Sequence, residues 1–298
     1  MKNIKLLGVL AIGLLAASCA NDDDALVTPI VPVNSTLSVN LTGLENLGAD
    51  YKYEGWIVVD DAPISTGVFT VNDSGVISQT AFSVNTVQLA AATKFVLSIE
   101  PTVDPDPAPS NTKILAGDFS GNSASVNSNL VADFSTATGK YILATPTDAD
   151  STNEESGIWF LDNSSGSNVA GLNLPALAAG WKYEGWAVFA GGAVSTGTFL
   201  SGGVADDNAA TSPYKGTVGN GPGYPGEDYV MGTAAGETFP TDLKGKTIVI
   251  SVEPDPDNSP SPFTFKPLAH MVPADAMNHT TITMGAGPVT QLTGTVTR

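Results

Sequence analysis

Few residues in this chain are of types that do proton or metal chemistry. Histidine is the usual general base and metal ligand near neutral pH. It occurs twice in 298 residues, as His270 and His279, with no cysteine near either. Nine positions apart matches no metal motif, so both read as surface or loop residues. Ser110-Asn-Thr-Lys113 has the form of a Ser-x-x-Lys nucleophile pair. It lies in a proline-rich stretch instead of at a helix start, and a related stretch, Phe263-Thr-Phe-Lys266, keeps the lysine without the serine. Asp104, Asp106, Asp255 and Asp257 form two Asp-Pro-Asp groups. Loop carboxylates of this kind are oxygen ligands for Ca²⁺, although they fit no EF-hand register, and a solvated acidic loop is the simpler account. No other cofactor is indicated.

Glu54, Glu184, Glu100 and Glu253 are paired carboxylates of the sort that serve acid–base catalysis. Each occurs at the same place in two related stretches, and an active site seldom exists twice in one chain. The structural reading is a carboxylate near a strand end that accepts loop N–H bonds. Trp56 and Trp186 offer faces for sugar stacking, but within a shared strand signature they read as packing residues. No catalytic residue is expected, and the chain is not read as an enzyme.

These recurrences are an internal repeat. Tyr51-Lys-Tyr-Glu-Gly-Trp56 returns 130 residues on as Trp181-Lys-Tyr-Glu-Gly-Trp186, and Ser65-Thr-Gly67 as Ser195-Thr-Gly197. Phe95-Val-Leu-Ser-Ile-Glu-Pro101 returns as Ile248-Val-Ile-Ser-Val-Glu-Pro254, but 153 residues on, so the second copy carries 23 extra residues between Phe199 and Ile248. From Tyr51 to Val59 the residues alternate with period two, which predicts a strand with one apolar face. Phe95 to Ile99 and Ile248 to Val252 predict buried strands ended by Pro101 and Pro254. Val71-Asn-Asp-Ser-Gly-Val76 predicts a turn, Tyr141 to Ala144 and Gly157 to Leu161 predict bridging strands, and no amphipathic helix is evident. The fold class is all-β: two tandem antiparallel β-sandwich domains, residues 36–150 and 151–298, with a loop insertion at about 201–236.

The N-terminus supplies an address. Lys2 and Lys5 precede an apolar run, Leu6 to Ala17, too short to cross a bilayer as a helix. Ala16-Ala17-Ser18 then leads to Cys19, the one cysteine. This resembles a lipobox: residues 1–18 are a signal peptide, and Cys19 becomes the acylated N-terminus. Ala16 stands where Leu is usual. Residues 19–35 form a tether that begins with an acidic run, Asp22-Asp-Asp24, similar to export signals of surface lipoproteins in gram-negative bacteria. The expected location is the outer membrane, facing the periplasm or the cell surface. Net charge is −18, which repels nucleic acid and excludes it as a partner.

Order and spacing of motifs resemble the extracytoplasmic C-terminal domain of anti-sigma-K factors. The likeness rests on Tyr53-Glu-Gly-Trp56, Pro63-Ile-Ser-Thr-Gly-Val-Phe69, Asp73-Ser-Gly75, Phe95 to Pro101, Pro107-Ala-Pro109 and Leu115-Ala-Gly117, and more loosely on the second copy. It covers roughly residues 41–117 and 174–269. The resemblance implies a β-sandwich and no transferable catalytic residue. The family's cytoplasmic sigma-binding domain and transmembrane helix have no counterpart in this sequence, so anti-sigma activity does not carry over.

The expected function is therefore that of a non-catalytic, lipid-anchored binding or interaction protein with an unidentified protein or glycan ligand. The alternatives are an envelope signalling or structural accessory and, more distantly, a glycan-active enzyme. The insertion is the expected contact region, because long loops on rigid scaffolds collect binding groups. Tyr214, Tyr224 and Tyr229 are its candidate contact residues.

Overall fold

The computed structural model describes residues 33–256 and 259–298. Cys19, the signal and most of the tether lie outside the described residues, as does Asp257. The described chain is all-β and antiparallel. It includes one six-residue helix, Thr86–Ala91, whose first N–H groups are capped by Asn85 Oδ1. Among the described residues no helix is long and apolar enough to cross a membrane.

Both copies of the repeat build the same four-stranded unit. In the first, the order across the sheet is Ala62–Phe69, Tyr51–Val59, Lys94–Pro101, Lys113–Ser120. In the second it is Gly192–Phe199, Trp181–Phe189, Thr247–Pro254, Lys266–Met271. Register is preserved as well. Tyr53 lies opposite Phe69 and Ile99, and Tyr183 opposite Phe199 and Val252. The stacked pairs Tyr53–Phe69 and Tyr183–Phe199 have ring centroids 5.4 and 5.7 Å apart.

The Ser-Thr-Gly signature is explained by a β-bulge. Pairing shifts between Gly55 and Trp56 and again between Gly185 and Trp186, leaving Thr66 and Thr196 as the unpaired residues of the partner strands. Both threonines turn inward and are buried. A Cβ at Gly55 would lie 2.6 Å from Thr66 Oγ1, so the glycine of Tyr-Glu-Gly-Trp makes room for the bulged side chain. Gly67 and Gly197 close the bulge at φ +125° and +115°, a region that suits glycine.

The copies are not separate domains. The described residues cluster as one unit, Val33–Arg298. The expected boundary at 150/151 is crossed by shared sheets. Thr293–Thr297, the last strand, lies in the first copy's sheet between Ser123–Asn127 and Asn34–Leu41, making eight strands with Ala81–Asn85 at the far edge. Thr138–Leu143 pairs with Gly157–Trp159, Leu172–Asn173 and Ile282–Thr283. A repeat of four strands leaves edges and faces uncovered, and these additions cover them. Phe82 from the far edge packs on Phe69, with centroids 6.1 Å apart, so the ends of the eight-stranded sheet meet. In the second copy Phe160 lies over Gly185. The copies also touch directly: Trp181 Nε1 donates to Lys113 O at 3.2 Å, and Thr112 Oγ1 donates to Gly180 O at 3.3 Å.

Candidate functional site

On the face of each four-stranded unit opposite Tyr53 and Tyr183, the signature residues form one hydrogen-bond chain, made twice. Trp56 Nε1 donates to Ser98 Oγ at 2.8 Å, and Ser98 donates to Glu100 Oε1. The same carboxylate accepts the Ser110 N–H at 2.9 Å. In the second copy Trp186 donates to Ser251 at 2.7 Å, Ser251 to Glu253, and Glu253 accepts the Phe263 N–H at 2.9 Å. The serine and the glutamate two residues later necessarily share a strand face. Both carboxylates are buried, and each clasps the loop that follows its strand. Ser65 donates to Glu54 Oε1, and Ser195 to Glu184 Oε1. These glutamates are structural hydrogen-bond acceptors in both copies.

The lysine after the proline-rich loop is explained similarly. Lys113 Nζ donates to Ser110 O at 2.7 Å, and Lys266 Nζ to Phe263 O at 2.5 Å. The Ser110 hydroxyl donates to Ile99 O at 2.7 Å. The pair that has a nucleophile's spacing is therefore a loop clasp.

Around Glu184 and Trp186 the second copy differs from the first. There a groove of about 530 Å³ opens on the strand face, a volume within the range of small-molecule clefts, about 300–1,000 Å³. Glu184 and Trp186, both nearly fully buried, form its floor. One wall is the hairpin at residues 191–195. Another is the insertion, through Tyr214, Ala234 and Ala235, and the third is the loop at residues 259–261. None of the lining residues is Lys, Arg or His. In the first copy the equivalent Ser65 is exposed and Glu54 half-buried, because no insertion stands over them.

The insertion is part of the core as well as a wall. Its strand Gly226–Asp228 pairs with Gly157–Trp159. Tyr229 is fully buried, donates to Val194 O at 2.9 Å and packs among Phe189, Phe239 and Tyr214. This corrects its reading as a surface contact residue. Its ring fills the space between insertion and sheet, and its hydroxyl is satisfied internally. Tyr224 is half-buried and donates to Asn168 O at 3.0 Å, away from the groove. Of the three tyrosines only Tyr214, half-buried, lines the groove.

Three buried carboxyls that belong to no sequence motif anchor the insertion. Asp228 accepts from Thr147 N at 2.6 Å, Thr147 Oγ1 at 2.5 Å and Trp159 Nε1 at 2.6 Å. Asp206 accepts from Gly226 N at 2.9 Å. Glu227 accepts from Ser212 Oγ and, at 2.9 Å, from Asp228 N. Burial raises all three above the ordinary carboxylate range, Asp206 to about 6 and Glu227 to about 8, where the charges of Asp206 and Asp228 add to the effect. Glycines beside them carry the local signal: Gly221 and Gly226 lie against the Trp159 ring, where a side chain has no room.

The described calcium candidates, Asp104, Asp106 and Asp255, are not assembled. Asp104 and Asp106 accept backbone N–H bonds within their own exposed loop, from Asp106 N and Ala108 N at 2.9 and 3.0 Å. Asp255 lies 3.8 Å from Lys182 Nζ. Among the described residues no group of three or more His, Cys, Asp or Glu side chains is placed to hold a metal ion. The histidines are apart in role: His270 Nδ1 lies 2.9 Å from Tyr141 Oη, and exposed His279 lies 3.2 Å from Glu154.

Comparison with protein-family models, with characterised proteins and with solved structures yields no match.

Proposed function

We propose that this is a non-catalytic, lipid-anchored binding protein of the bacterial cell envelope, held through Cys19 and presenting the groove of the second repeat to its ligand. One observation carries this reading: the groove arises where a segment unique to the second copy stands against a strand face that both copies share. The duplicated carboxylates are accounted for by folding, since each accepts serine or loop N–H hydrogen bonds at equivalent positions. The residues that only the second copy adds to the lining, Tyr214, Ala234 and Ala235, are not accounted for in that way. The lipobox-like Ala16-Ala-Ser-Cys19 and the acidic run behind it support an outer-membrane or cell-surface location. The likeness to the outer domain of anti-sigma-K factors concerns the scaffold, without a sigma-binding part.

The test is Ala193→Trp, which fills the groove from the hairpin wall. The wild-type mature chain is screened against soluble envelope glycans and peptides by thermal shift and calorimetry. A ligand lost in Ala193→Trp, with the melting temperature kept, is the expected result. Equal binding by both proteins contradicts it.

A further inference from the structure

Resting on the groove being the binding site, we infer that its ligand is a neutral saccharide, lying against Tyr214 with its hydroxyls directed to the Glu184–Ser195 edge. Three features of the lining lead there. The polar groups are hydroxyls and one carboxylate: Ser195, Ser259, Ser261, Tyr214 and Glu184. Such groups exchange hydrogen bonds with a polyol, which both donates and accepts.

Second, no cation lines the groove, and the chain carries net charge −18. A phosphate, sulfate or uronate entering it would be desolvated with no counter-charge, beside a carboxylate, which is unfavourable on both counts. A cationic ligand meets a single carboxylate that already accepts the Ser195 hydroxyl. A neutral ligand meets neither penalty.

Third, apart from small residues, Val194 and Pro260, the apolar lining holds two aromatic side chains, Trp186 and Tyr214. Trp186 is 2 % exposed and its N–H is spent on Ser251, so it supports the floor and is not the stacking platform. Tyr214 is held by ring contacts with Phe239 and Tyr229, with centroids 5.3 and 6.0 Å away. A ring held in this way presents apolar area at small entropic cost.

The experiment is calorimetry on the full mature chain in detergent micelles. The probes are neutral hexasaccharides of glucose, xylose and mannose, oligogalacturonate as the anionic set, and chitosan oligomers as the cationic set. The expected result is binding of at least one neutral probe, weakened about tenfold or more by Tyr214→Leu and within about threefold of wild type in Tyr214→Phe. Tyr214→Leu keeps apolar packing on Phe239, and its melting temperature is measured alongside. Stronger binding of either charged set overturns the inference. So does neutral binding that is indifferent to either Tyr214→Leu or Ser195→Ala, or no saccharide binding at all. The wider reading of a binding groove fails separately, if the ligands found by screening bind Ala193→Trp as well as wild type.

Discussion

The indole N–H of Trp186 donates to Ser251 Oγ at 2.7 Å, and the Trp56–Ser98 bond at 2.8 Å repeats it in the first copy. Each bond heads a chain that runs through a buried glutamate and ends on a loop N–H, so the same polar chain is built twice. Removing the serine strands an indole N–H and one acceptor site of a buried carboxylate. Ser251→Ala and Ser98→Ala should each cost about 1–3 kcal/mol. The two chains share no partner, so the double variant should be additive to within about 0.5 kcal/mol. Urea unfolding measures this. Neutral single substitutions would show that the network contributes nothing.

The tyrosines of the signature make a second testable pair. Tyr53 Oη donates to Glu45 O at 3.0 Å and Tyr183 Oη to Pro175 O at 2.7 Å, each eight residues upstream. Tyr53→Phe and Tyr183→Phe should each lose about 1 kcal/mol. An effect in only one copy would contradict equivalent roles.

Stability should fall as pH rises from about 4 to 8. Asp206 goes from an ordinary 3.8 to about 6, and Glu227 from 4.5 to about 8. Between those values the folded chain holds protons that the unfolded chain has released, so their contribution is full below the unfolded values and is lost as pH climbs through the folded ones. Glu227→Gln removes the ionisation and should flatten the melting temperature between pH 5 and pH 8, with the variant gaining on wild type at the upper end. An unchanged slope would mean that Glu227 titrates normally.

Deleting residues 201–236 should not leave an intact scaffold. The segment carries Tyr229 and the Gly226–Asp228 strand into the interior, and losing one buried aromatic side chain alone costs about 3–5 kcal/mol. Circular dichroism on heating checks this. A shortened chain that melts like wild type would return the insertion to the status of a surface loop.

Much of the scaffold was legible in the sequence, and the reasons are local. The Tyr51–Val59 and Phe95–Ile99 periodicities mark strands because alternate side chains must face one core, and the constant offsets mark a duplicated order of strands. The common burial of Ser98 with Glu100 was also within reach, since positions two apart on a strand share a face. The pairing of Thr293–Thr297 with the first copy was not. That strand's pattern states that it needs a partner without stating which, and the choice is made by edges far away in the chain. The insertion misled for a similar reason. Its glycines read as loop, and they are indeed outside regular structure for the most part. Yet Gly221 and Gly226 are there because Trp159 lies against them, a contact over sixty residues away in sequence. Asp206, Glu227 and Asp228 carry no such signal, because nothing in composition tells a solvated carboxylate from one buried against Ser212 or Thr147.

The central claim is that the second copy binds through the groove and the first copy only supports it. Hydrogen exchange on the mature chain, with and without a ligand from the screen, tests this most directly. The account predicts added protection in the hairpin at residues 191–195 and around Ala234 and Ala235, with no change at residues 61–65, the equivalent hairpin of the first copy. Protection at 61–65, or protection confined to surfaces away from Tyr214, would contradict it.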